Sequence, residues 1–178
     1  MPPDKKIVVI GPESTGKSTL CEMLSAHYQT RWVPEYAREY LVEHGMDYTF
    51  DNLLTIAKGQ LAGEEKIAGE MHQGLLFIDT DMYVMKVWCE FVFNRCHQWI
   101  IDQIALRRYD FYFLCNTDLP WAADPLREYP DLESREKLFH IYKDLLQNQS
   151  TPWIEITGGA PDRLPQAIRA IDGWSGTL

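Results

Sequence analysis

No apolar run in the sequence approaches the roughly 20 residues that a membrane-spanning helix requires, so no membrane association is expected. Cysteine is scarce, with four residues and no C-x-x-C pair. Cys89 and Cys96 with His97 lack zinc-finger spacing, and the expectation is mostly buried, reduced thiols. Basic residues are outnumbered, 17 against 26 acidic, for a net charge of −9. That balance argues against non-specific nucleic-acid binding. Repeats, low-complexity tracts and internal linkers are missing, and 178 residues with 46% hydrophobic content fit one domain around one core. The first apolar strand starts after about six residues, which leaves no room for a signal peptide. The expected compartment is the cytoplasm.

What is present is concentrated in residues 5–19, KKIVVIGPESTGKST. A short apolar run, Ile7 to Ile10, breaks at Gly11 and gives way to a helical pattern after Gly16. The spacing Gly11-x-x-x-x-Gly16-Lys17-Ser18 is that of a Walker A phosphate loop. Glycines let successive backbone N–H groups curl around an anion where a Cβ would obstruct the turn. The helix that starts there adds its unpaired N–H groups and the positive end of its dipole. Gly11, Glu13, Ser14, Thr15, Gly16, Lys17, Ser18 and Thr19 are therefore the expected ATP-binding residues. Lys17 is expected to reach the β- and γ-phosphates, and Ser18 to offer its hydroxyl to Mg²⁺. Net acidity is no obstacle, because such a loop works through local amides and one lysine. Glu13 puts a negative charge inside this anion-binding turn, so its side chain is expected to point away from phosphate, towards acceptor or metal waters.

Strand and helix patterns alternate along the chain. Strands are expected at Ile7–Ile10, 30–34, Leu75–Ile78, Phe111–Cys115 and Trp153–Ile156. Helices are expected from Lys17 to about Tyr28, from Glu35 to His44, and from about Asp51, a possible cap, to His72. Further helices are expected over Met82–Phe93, about 97–108, about 131–149 and 161–171. Such alternation predicts a three-layer α/β fold of the P-loop hydrolase and nucleoside-kinase type, with a five-stranded parallel sheet and helices on both faces. Residues 1–178 are expected to form a single domain, with a lid at about 116–130. Ligands then sit at the carboxyl ends of the strands.

Three motifs fall at such ends. Asp79, closing the third strand in Asp79-Thr80-Asp81, matches the Walker B acid that orients Mg²⁺ or its waters; the competing reading is a helix cap. Asp81 has the same two readings, substrate contact or cap. Glu35, after the second strand, lies where a phosphoryl acceptor belongs and is placed to take a proton from an attacking hydroxyl. Arg38, one turn on, is positioned to meet transferring phosphate, and Tyr36 and Tyr40 share one helical face. A surface helix with a solvated Arg38 is the plain alternative. The third motif runs from Asp118 through Trp121 and Asp124 to Arg127, with Arg135 beyond. It has the character of a kinase lid, whose arginines neutralise the transferring phosphoryl group while closure excludes water. The alternative is a stiff proline loop with Trp121 plugging the core edge.

GPESTGKST, VPEYAREY, IAKGQ at residues 56–60, FIDTD and DLPWAADPLR occur in that order. Together they resemble the ribosylnicotinamide kinase domain of NadR-type proteins, from about Lys5 to Arg169. The resemblance implies ATP- and Mg²⁺-dependent phosphorylation of nicotinamide riboside, a small-molecule substrate, to nicotinamide mononucleotide in NAD salvage. By position it carries over Lys17 and Ser18 to ATP and magnesium, Asp79 as the Walker B acid and Arg127 as the lid arginine. Glu35 matches the family's strand-two glutamate; its role as base is an inference from its place. Lys17, Glu35, Asp79 and Arg127 form the expected catalytic set, and Glu35, Tyr36, Arg38, Asp81 and Trp121 the expected substrate contacts. A pyridinium cation favours aromatic faces and nearby carboxylates. Trp88, among Met85, Phe91 and Val92, is expected in the core. The chain departs from its relatives in lacking an H-x-G-H nucleotidyltransferase signature, so adenylyl transfer is not implied, and in carrying Pro125 where glycine is expected. A P-loop ATPase switch, a kinase for another nucleoside and a nucleotide-binding protein without turnover remain the alternatives.

Overall fold

β1 (Lys5–Ile10) runs through the centre of a five-stranded sheet, in a computed structural model that describes residues 3–175. Its neighbours are β3 (Leu75–Asp79) and β4 (Phe111–Cys115), with β2 (Arg31–Val33) and β5 (Trp153–Ile156) at the edges. The order is β2-β3-β1-β4-β5 and each pairing is parallel, with Val8 opposite Ile78 on one side and Tyr112 on the other. Ile7 to Ile10 have no exposed surface. That is why this strand is an unbroken apolar run rather than an alternating one.

The pleat divides those residues between two cores. Ile7 and Val9 pack with Phe77, Phe111 and Phe113 beneath α1 (Lys17–His27) and α7 (Ala160–Ser175). Val8 and Ile10 pack with Ile78 and Leu114 against Val87 of α4 (Met82–Phe93) and Leu138 of α6 (Leu132–Gln147). A third apolar cluster joins α2 (Tyr36–His44), α3 (Phe50–Gly69), α4 and α5 (Gln98–Leu106) beside the sheet. The fold is thus the expected α/β architecture with helices on both faces. Among the described residues, no helix is long and apolar enough to cross a membrane.

Several helix ends differ from the sequence expectation. α3 is capped by Thr49, in a reciprocal capping box with Asn52, instead of by Asp51, and it ends at Gly69 rather than His72. α5 stops at Leu106, because Arg107 turns extended, with its guanidinium between Glu64 and Glu65. α7 starts earlier and continues through Pro165 to Ser175. Asp131 lies just outside α6 as its cap, accepting from the Ser134 N–H at 2.7 Å. The chain leaves β1 for the β2–β3 side and returns to β4 on the other, so the crevice at the carboxyl end of β1 is the topological switch point.

Candidate active site

The phosphate loop leaves β1 at that crevice. A Cβ on Gly11 (φ +147°) would lie 2.7 Å from the Cys115 carbonyl oxygen, so only glycine lets the loop start this close to the end of β4. Ser14 and Gly16 are both left-handed, and Gly16 caps α1 with no side-chain hydrogen bond to its first turn. The helix start is thereby left available to an anion. Thr15 is fully buried, and its Oγ1 closes the loop on the Pro12 carbonyl at 2.7 Å. The Lys17 ammonium also donates to that carbonyl, at 3.0 Å.

Ser18, in the first turn of α1, donates to Asp79 Oδ2 at 2.5 Å. Asp79 is buried at the end of β3. Burial first, and then the charge of Glu35, push its carboxyl upward, against the pull of Lys17. Thr80, in a left-handed conformation (φ +77°), directs its hydroxyl to Glu35 Oε1 at 3.5 Å. The acids at the ends of β2 and β3 are thus neighbours across one turn. Hydroxyl and carboxylate oxygens are the hard donors that suit Mg²⁺, which keeps several waters and shares the phosphates of its nucleotide. Among the described residues, no group of three or more His, Cys, Asp or Glu is placed to hold a metal ion.

The loop floors a cleft of about 300 Å³, lined by all eight residues from Gly11 to Thr19 expected to bind nucleotide, together with Glu35, Arg38, Asp79 and Arg127. Its far wall is apolar, with Trp32, Val84, Trp88, Phe91 and Tyr142. Trp88 therefore reaches the cleft instead of only packing the core, and its indole N–H donates to Tyr48 Oη at 2.9 Å.

Three expected substrate contacts are not on this lining. The Tyr36 ring lies against α3, where a Cβ on Gly59 would come within 2.0 Å of it. Asp81 is buried as the cap of α4: it accepts from the N–H groups of Tyr83 and Val84, and from the Tyr112 hydroxyl at 2.8 Å. Burial holds its carboxyl up at about 6 although those hydrogen bonds draw it down. The cap reading of Asp81 is the correct one. Trp121 stands outside the cleft with the Arg127 and Arg135 guanidinium groups each 5.7 Å from its ring centroid.

Residues 122–129 lie over the phosphate loop. Arg127 donates to Ser14 Oγ at 3.3 Å and to the Ala122 carbonyl, and Ser14 Oγ also accepts from the Ala122 N–H. Glu13 lines the cleft, and one of its carboxylate oxygens is taken up by backbone amides. Its Oε2 accepts from the backbone N–H groups of Glu128 (2.9 Å) and Tyr129 (3.1 Å), and burial raises its carboxyl. The charge inside the anion-binding loop thereby ties residues 128 and 129 to it. Arg38 pairs with Asp124 at 2.8 Å, and Arg135, itself buried, donates to the Ser14 and Leu119 carbonyls.

Sequence reasoning gave no structural role to two organising residues. Gln60, buried on α3, accepts from the Tyr36 N–H at 2.7 Å and donates to the carbonyls of Asp79 and Thr80. It fixes the two acidic turns to each other. The signal was an amide on the helical stripe Leu53, Ile56, Ala57, Gln60, Leu61, whose other members are apolar. Arg163 of α7 is also buried and bonds the carbonyls of Thr15 (2.8 Å), Asn116 (3.0 Å) and Gly158 (3.0 Å), besides pairing with Asp118. It braces the loop from behind, and no local pattern announces it.

The fold recurs in known proteins. The trifunctional NAD biosynthesis/regulator protein NadR of Escherichia coli (strain K12) is 27% identical over 156 residues, covering 85% of this chain and 38% of the relative. The chain thus spans well under half the length of that protein. A crystal structure of NadR protein in complex with NR superposes with a TM-score of 0.76 at 24% identity, over 97% of this chain and 52% of the other. A NadR structure in complex with NAD and AMP-PNP gives 0.74 at 23%, over 97% and 49%. Deoxyadenosine kinase from M. mycoides shares the fold over 94% of this chain and 99% of its own, with a TM-score of 0.65 at 12% identity. The AAA domain family model matches residues 6–163, and the chain belongs to that family.

Proposed function

We propose that the chain is an ATP-dependent small-molecule kinase that phosphorylates nicotinamide riboside to nicotinamide mononucleotide in NAD salvage. Residues 1–178 act as one kinase domain, with 116–130 as its lid. The observation that carries this reading is the single cleft in which the phosphate loop, the Ser18–Asp79 pair, Glu35 and Arg127 share a lining with an aromatic wall. An ATPase switch has no need of that wall, whereas a flat aromatic acceptor does. The likeness to NadR, seen in complex with NR and with AMP-PNP, supports the same substrates here. Four unpaired cysteines support a reducing compartment, the cytoplasm.

Within this site Lys17 exchanges the Pro12 carbonyl for nucleotide phosphate. Ser18 and Asp79 would hold Mg²⁺, which would neutralise charge on the phosphoryl oxygens. Glu35 orients the ribose 5′-hydroxyl and accepts its proton as the oxygen bonds to the γ-phosphorus and ADP leaves. Arg127, with Arg38 at the cleft edge, stabilises the charge spread over the transferring group. Trp88 and Phe91 offer ring faces to a pyridinium cation, with Glu35 as counter-charge.

Incubation with Mg·ATP and a panel of nucleosides, following ADP, tests this directly. Nicotinamide riboside should raise ADP release far above the acceptor-free rate. If another nucleoside does so and nicotinamide riboside does not, the substrate assignment fails.

A further inference from the structure

One side chain joins the aromatic wall to the lid and has no part in the chemistry above. Tyr48 lies in the connection between α2 and α3, with its ring edge-on to Trp88 at 5.0 Å between centroids. Its hydroxyl accepts from Trp88 Nε1 at 2.9 Å and donates to Glu128 Oε2 at 2.7 Å. The direction of this chain is fixed, since an indole N–H can only donate and a carboxylate can only accept. Burial and the Glu128 carboxylate hold the phenol in its protonated form.

Glu128 directly follows Arg127, and its own N–H is held by Glu13 of the phosphate loop. One path from the acceptor wall to the lid arginine is therefore Trp88, Tyr48, Glu128, beside the direct edge-on contact of Phe91 with Tyr129 at 5.2 Å. Two ion pairs also hold residues 116–130: Arg38–Asp124, with an Arg38 side chain 58% exposed, and the buried Arg163 with Asp118. The Tyr48–Glu128 bond differs from both in reaching the aromatic wall, and it is charge-assisted. A shift of the Trp88 ring would move the Tyr48 hydroxyl that it holds, and with it the Glu128 carboxylate.

We propose that Tyr48 is a positioning residue that couples occupation of the Trp88 wall to the placement of Arg127, so that bound ATP is spent on transfer rather than on water. This rests on the kinase reading for its acceptor.

Two variants test it, Tyr48→Phe, which deletes only the bridging oxygen, and Glu128→Ala, which changes an exposed residue and leaves folding out of the question. In the acceptor-free protein, amide exchange over residues 122–129 should quicken about tenfold in both variants; exchange at the wild-type rate overturns the coupling. With saturating Mg·ATP and nicotinamide riboside, the ratio of ATP hydrolysed to acceptor phosphorylated should rise about tenfold or more, while the KM for ATP stays within about twofold. A ratio equal to that of wild type overturns the proposal, and so does a parallel loss of transfer and hydrolysis, which marks a merely structural role. Trp88→Phe combined with Tyr48→Phe should be no worse than Trp88→Phe alone, which already breaks the chain and also alters the acceptor wall; multiplying effects contradict it. Failure of wild type to phosphorylate nicotinamide riboside is a separate result. It removes the substrate assignment, while the exchange measurement stands without any acceptor and the ratio is then read with the nucleoside that the panel identifies.

Discussion

Ser18 and Asp79 meet Oγ to Oδ2 at 2.5 Å across the gap between the first turn of α1 and the end of β3. The contact fixes a hydroxyl and a carboxylate from two sequence-distant elements beside the phosphate loop. Their partnership is the metal-holding half of the proposed site, and Glu35, bonded through Thr80, is the acceptor half.

Asp79→Asn keeps a group able to accept from Ser18 but removes the negative charge. Turnover is expected to fall about 100- to 1,000-fold, with a higher Mg²⁺ concentration needed for half-maximal rate. A titration of rate against Mg²⁺ checks this; an unchanged profile marks Asp79 as structural only.

Lys17→Ala leaves the loop backbone in place and withdraws its cation. A loss of about two or more orders of magnitude in turnover is expected, measured as ADP release with acceptor present. Wild-type turnover excludes Lys17 from phosphate binding.

Gly59→Ala places a methyl group 2.0 Å from the Tyr36 ring, which is packed between α2 and α3. Relief requires the helices to part or the ring to leave its site, at a cost of about 1–3 kcal/mol. Urea denaturation should show a lower midpoint with an unchanged slope. The Tyr36 N–H to Gln60 bond is strained by the same shift, so acceptor turnover falls as well.

Asp81 titrates at about 6, above an ordinary aspartate. The native state therefore keeps this proton longer than the unfolded chain does, so the contribution favours folding below about pH 4 and is lost as pH rises through about 6. Asp81→Asn keeps one acceptor oxygen for the α4 cap without ionising, while its Nδ2 replaces the acceptor of the Tyr112 hydroxyl with a donor. Wild type should lose stability relative to Asp81→Asn between about pH 4 and 6. Parallel stability curves for the two proteins over that range contradict the assignment.

Much of this arrangement was legible in the sequence because it is local. Ile7–Ile10, the glycine spacing that follows and Asp79 at the end of an apolar run each state their place within a few residues, and the parallel α/β sheet follows from the alternation. Side-chain direction was not legible where tertiary contacts decide it. Tyr36 turns to α3 because Gly59 makes room; Asp81 turns inward because Tyr112 supplies a hydroxyl from β4. Glu13 was recognised as out of place in an anion-binding loop, but its partners are backbone amides more than 110 residues on. Helix ends shifted for a related reason, as Thr49 out-competed Asp51 once Asn52 closed the capping box.

The most direct measurement is the mass and yield of the product formed from nicotinamide riboside by the wild-type chain with Mg·ATP. A product heavier than the substrate by one phosphoryl group, formed in equal amount to ADP and abolished by Glu35→Ala, is the predicted result. ADP released without any phosphorylated riboside, at a rate indifferent to the acceptor and to Glu35, would contradict the kinase reading.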